Sequence, residues 1–246
     1  MLNEDAMADA TSVEPRARFL PAAALFAVGA GLLLVATRLL IPILVESYEF
    51  DPLLAWFTAV GFGVLLPLVL LGCAVLCLES RGFSAALWTD RLRFRRLGRF
   101  DWLICGASLA AVALLTALVA LVLVSWRGPA ALYPAFLPGL PLSPGRYWLL
   151  WVWPVFWTVN ILGEEFVWRG VLLPQQESAH GRWAWFFNGA GWSIFHAVMG
   201  WQLVMLLPLS FILPYAVQRS GKTSVGLILH AAINGPAFLA ISLGAL

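Results

Sequence analysis

The sequence predicts an all-α protein, a polytopic transmembrane helical bundle of about seven helices, with six to eight as the range. Three observations predict it. Of 246 residues, 61% are hydrophobic and only 11% are charged, whereas a soluble domain carries about 25% charged residues. Mean hydropathy is +0.87. Apolar runs near the ~20 residues that a span requires recur along the chain, and the charges gather between them. A net charge of +2 is too small to imply a nucleic-acid partner, so the expected surrounding is the lipid bilayer.

Residues 1–18 are polar and mixed in charge, and are expected to form a disordered cytosolic tail. They do not read as a cleavable signal, because the start is acidic and the following apolar run is too long. Residues 19–246 then form a single transmembrane domain. The first span falls near 19–45 and contains Arg38, which has no sequence-local partner and reads as a snorkelling or interhelically paired cation. Spans near 52–78 and 102–126 hold Cys73, Cys77 and Cys105. These are expected to be small buried hydrophobes, since two thiols on one face fall short of a tetrahedral metal centre. They imply no disulfide framework.

Pro129, Pro134, Pro138, Pro141 and Pro144 mark an irregular connection before the fourth span, near 147–170. The pair 183–199 and 201–218 is joined tightly around Gly200, so either member reads as a short or re-entrant helix. The last span lies near 223–244. No internal repeat is visible, which argues against a transporter built from inverted repeats.

Loop charges orient the bundle. Arg81, Arg91, Arg93, Arg95, Arg96 and Arg99 lie between the second and third spans, and the positive-inside rule places that segment in the cytosol. The loop with Glu46, Glu49 and Asp51 then faces out. The N-terminus faces in, as do 171–182 with Arg182 and 219–222 with Arg219 and Lys222.

Glu164, Glu165 and Arg169 interrupt the fourth span. A charged group at mid-bilayer costs roughly 2.5–3.5 kcal/mol on insertion scales, so an intramembrane cluster is a functional-site hypothesis by default. Glu165 and Arg169 are four residues apart on one helical face and are spaced to pair. Glu164 is rotated by about 100° from Glu165 and is left free. His196 and His230 sit in apolar helices, while His180 lies in a polar loop. Trp192 shares a face with His196, and Asn234 shares one with His230. Two intramembrane histidines and a Glu pair make a set of the kind that builds hydrolytic sites. Trp148, Trp151, Trp153 and Trp157 read as an interfacial belt or as bundle packing.

The motifs Glu164-Glu165-Phe-Val-Trp-Arg169, Trp192-Ser-Ile-Phe-His196 and His230-Ala-Ala-Ile-Asn234, in this order, resemble those of the CPBP family of intramembrane proteases (CAAX protease and bacteriocin-processing, or Abi). The Ras-converting CAAX endoproteases are its eukaryotic relatives. The resemblance covers about 147–240. One departure is that the family's second motif usually carries Phe where this chain has Trp192.

The resemblance implies peptide-bond hydrolysis, with Glu164 as general base, His196 orienting the water, and His230 and Asn234 donating to the oxyanion. Glu165 and Arg169 would support Glu164, and Trp192 would wall the site. A zinc version of the same site, with Glu164, His196 and His230 as ligands, uses the same side chains and is left open, so the cofactor is either none or a divalent metal such as zinc. Implied partners are a peptide, membrane-protein or lipidated-protein substrate. A non-catalytic immunity or scaffolding protein and a Glu/His-relay transporter are the rival readings. The preference for Arg over Lys, with much Ala, Leu and Gly, looks bacterial, and the plasma membrane is the expected location.

Overall fold

The computed structural model describes residues 15–79, 85–132 and 139–245. Residues 1–14 of the expected tail lie outside this set, and helix α1 begins at Pro15. Helix α1 runs as Pro15–Val35, a π-helical turn Ala36–Leu40 and Ile41–Tyr48. Arg38 is exposed on that π turn. Asp51 caps α2 by accepting from the Leu53 amide at 2.8 Å, and Pro52 takes the first helical position, where its missing N–H is tolerated. Helix α2 comprises Pro52–Val60, the π turn Gly61–Leu65 and Leu66–Glu79. The short α3 is Ala85–Leu92, and α4 is Arg99–Arg127.

Helix α5 starts at Leu149 and keeps going where the sequence suggests an end. Leu149–Glu164 passes into a π-helical segment Glu165–Leu172, and Leu173–His180 resumes the α form. The expected boundary at 170 and the expected loop 171–182 are therefore corrected. Hydropathy marks where the chain leaves an apolar surrounding, not where hydrogen bonding stops, and Leu-Pro-Gln-Gln-Glu-Ser-Ala-His contains good helix formers. Helix α6 (Ala184–Phe195) is the short member of its pair and ends at His196, short of the expected 199. Gly200, at φ 58°, turns the chain into α7 (Leu203–Ser220). Gly221, at φ 65°, ends α7 before α8 (Thr223–Leu243).

Five of these segments are long and apolar enough to cross a membrane: Ala22–Tyr48, Pro52–Glu79, Arg99–Arg127, Ala197–Ser220 and Thr223–Leu243. The molecule is an all-α, multi-pass membrane bundle. Helix α6 packs inside it against α1, α5 and α7, while the π segment of α5 packs on α2, α8 and α3. Trp168, Trp192 and Phe195 are fully buried at this junction, and Phe26 of α1 stacks on Trp168 at 4.6 Å. The site residues thus hang from the most enclosed part of the bundle.

Candidate active site

Glu164 and Glu165 mark the point where α5 changes register. Glu165 and Arg169 are both 0% exposed and Glu164 is 4% exposed. The π segment is braced by side chains that bond its carbonyls. Asn188 of α6 donates through Nδ2 to the Trp168 carbonyl at 2.8 Å and to Gln176 Oε1 at 2.8 Å.

The two glutamates have separate partners. Glu165 Oε1 accepts from Arg169 Nη1 at 3.1 Å and from His230 Nδ1 at 2.9 Å. Its other oxygen lies against α8 at Gly226, where a side-chain carbon would collide with it. Glu164 Oε2 accepts from the indole Nε1 of Trp192 at 2.6 Å. The Trp192 ring face carries the Arg169 guanidinium at 4.3 Å from its centroid. Its edges meet the imidazoles of His196 at 5.0 Å and His230 at 5.3 Å, both nearly perpendicular.

His196 sits just past the end of α6. Its Nδ1 lies 3.0 Å from the Trp192 carbonyl, which can only accept, so Nδ1 is the donor and Nε2 keeps its lone pair when the ring is neutral. By the same argument, His230 holds a proton on Nδ1 toward Glu165. His196 is partly exposed whereas His230 is buried. Asn234 is one turn beyond His230 and half-buried.

Counted as straight perpendicular helices, His196 would lie about 10 Å deeper than Glu164 and His230. The structure nonetheless brings the three together at Trp192, one turn before His196 on α6. Glu164, His196 and His230 therefore gather round one indole. The donation from Trp192 to Glu164 and the bond from His230 to Glu165 join residues 28 and 65 positions apart, which helical spacing cannot reveal. A usable signal for the first was Trp at the motif's aromatic position, because Phe has no N–H. Gly226, one turn before His230, was a usable signal for the second.

Among the described residues, no group of three or more His, Cys, Asp or Glu is arranged to hold a metal ion. Both histidines commit Nδ1 to protein oxygens, and Glu164 commits one oxygen to Trp192. A metal would be held through Nε2 of the two rings and the other oxygen of Glu164, since a ligating imidazole ordinarily donates its second N–H to a protein oxygen as these do. A cavity of about 220 Å³ lies away from the site, beside Leu123, Arg127 and Trp201.

With this geometry in place, the comparison with protein families is specific. Residues 146–235 match the model described as Rce1-like, type II CAAX prenyl endopeptidase. That segment is similar to the Rce1-like family. It agrees with the family read from the three motifs, and it contains all of Glu164, Glu165, Arg169, Trp192, His196, His230 and Asn234. The Rce1-like match supports a protease acting on peptides in a membrane setting. Nothing matches the chain significantly among curated proteins or among solved structures.

Proposed function

We propose that this protein is an intramembrane endopeptidase in which Glu164 activates the attacking water. One observation carries the reading: of two adjacent buried carboxylates, Glu165 is held by Arg169 and His230, while Glu164 takes a single indole N–H from Trp192, whose ring also meets His196. A carboxylate with one oxygen uncommitted, beside an imidazole with a lone pair on Nε2, is suited to taking a proton from water.

In this mechanism the water oxygen bonds the scissile carbonyl carbon as its proton passes to Glu164. His196, through Nε2, aligns that water. His230 Nε2 and the Asn234 amide donate to the oxyanion, each worth about 2.7–4 kcal/mol in comparable sites. To donate there the His230 ring carries both protons, its charge balanced by Glu165. The C–N bond then breaks, and the proton held by Glu164 moves to the departing amine. The substrate is a peptide segment of a membrane or lipidated protein, reached through the half-buried side of the site between His196 and Asn234.

The test compares membrane proteomes of wild-type and Glu164→Gln cells by sequencing new peptide termini. Loss of specific termini in the variant is the expected result, with activity of the purified protein reduced about 10²-fold or more. Unchanged termini would sink the protease reading. Full activity after exhaustive chelation is expected, and its loss with restoration by zinc would replace the metal-free version.

A further inference from the structure

Proline at 174 creates a local deficit in the motif helix. A residue in α-helical register donates its N–H to the carbonyl four residues back, and Pro174 has no N–H to give to Gly170. This falls where the segment Glu165–Leu172 leaves π register and α5 resumes at Leu173. A carbonyl left without a donor inside a bundle needs another partner.

Arg91 supplies it. Its Nη1 donates to the Gly170 carbonyl at 3.0 Å and its Nη2 to the Val171 carbonyl at 2.9 Å. The guanidinium is itself oriented by Glu79, the last residue of α2, through Nε at 3.1 Å. Glu79 also accepts from Gln175 Nε2 at 2.6 Å, so both sides of the proline are tied to one carboxylate. Glycine at 170 is part of the fit, because a side-chain carbon there would stand 2.8 Å from Leu92 of α3. Arg91 spans two successive carbonyls with a planar fork, which a lysine ammonium cannot reproduce.

We infer that Arg91 is a positioning residue for the proposed site: it replaces the hydrogen bond that Pro174 removes and holds the register in which Glu164, Glu165 and Arg169 meet their partners. The inference rests on the endopeptidase reading only for its effect on rate. The clamp itself belongs to the fold. It assigns to α3, which lies outside the Rce1-like segment, the task of bracing that segment from the polar end of the bundle.

The experiment uses the full chain in lipid nanodiscs with four forms: wild type, Arg91→Gln, Pro174→Ala, and the double variant. Amide hydrogen exchange over 165–176 is read in all four, and kcat and KM wherever cleavage is measurable. Arg91→Gln is expected to lose protection in this segment and to lower kcat about tenfold or more, as small misplacements of catalytic groups do, with KM nearly unchanged. Pro174→Ala restores an N–H facing Gly170, so Arg91→Gln in that background is expected to recover most of both losses. Unchanged exchange in Arg91→Gln overturns the inference, and so does an equal loss with and without Pro174. If no form cleaves any substrate, the endopeptidase reading falls while the exchange measurement still decides the clamp.

Discussion

The indole of Trp192 donates its N–H to Glu164, offers its face to Arg169, and turns its edges to His196 and His230. Phenylalanine keeps an aromatic face but has no N–H and a smaller ring, so Trp192→Phe removes the hydrogen bond together with part of the packing. The bond to a charged acceptor is worth about 1.5–3 kcal/mol, but only the part used in the transition state appears in the rate. The expected outcome is therefore a fall in kcat of about tenfold with KM nearly unchanged, and a lower melting temperature because buried Glu164 loses its donor. Full kcat in that variant would remove Trp192 from the mechanism. The distinction between Glu164 and Glu165 was legible from the 100° rotation and the spacing to Arg169. The bond from His230 to Glu165 was not, because it joins two helices whose relative rotation no single-helix pattern encodes.

At the scale of elements, the turn between α1 and α2 shows how a cap and an ion pair share one carboxylate. Asp51 accepts from Leu53 N at 2.8 Å and forms a two-pronged pair with Arg146, at 2.6 Å from Nε and 2.8 Å from Nη2. Arg146 also donates to the Gly139 carbonyl. Burial alone would raise the Asp51 pKa, but the Arg146 bonds and the backbone donors outweigh it and hold the carboxyl below its ordinary 3.8. A depressed folded-state pKa means the contribution is fully present above about pH 3.8 and is lost as the pH falls through the lower folded value. Asp51→Asn is therefore expected to cost about 1–3 kcal/mol near neutrality, as lost caps and charge-assisted bonds do. Its melting-temperature difference from wild type is expected to shrink as pH is lowered below 4, a pattern that thermal scans in detergent would read directly. An undiminished difference at low pH would mean that charge plays no part. Asp51, Pro52 and the apolar run after them were a readable helix start. The π segments were not, since each changes the hydrogen-bond register without changing composition or apolar periodicity.

Across the whole molecule, the loops collect at two ends. One end joins α3 and the starts of α4 and α8 to the polar end of α5: Arg93 pairs with Glu177 at 2.7 Å, the Thr223 amide donates to the Arg93 carbonyl at 3.1 Å, and Lys222 bonds Asp101. The other end joins the α1–α2 turn to the segment before α5 and the close of α8, through Asp51–Arg146 and the Leu142 amide on the Ser242 carbonyl at 2.8 Å. The first end carries Arg91, Arg93, Arg95, Arg96, Arg99, Arg182, Arg219 and Lys222, while the second carries Glu46, Glu49 and Asp51 against Arg127 and Arg146. An excess of Arg and Lys in short loops marks the cytosolic side, so the Arg-rich end is expected to face the cytosol. Glu46 and Arg96 are both exposed and lie at opposite ends, which makes them suitable reporters. In a background with Cys73, Cys77 and Cys105 replaced, a membrane-impermeant maleimide is expected to label Glu46→Cys on intact cells and Arg96→Cys only after permeabilisation. The reverse pattern would invert the bundle. Because Arg91 and the polar end of α5 share the Arg-rich side, it would also put the α3 clamp outside the cell and require substrate to reach Glu164 from there.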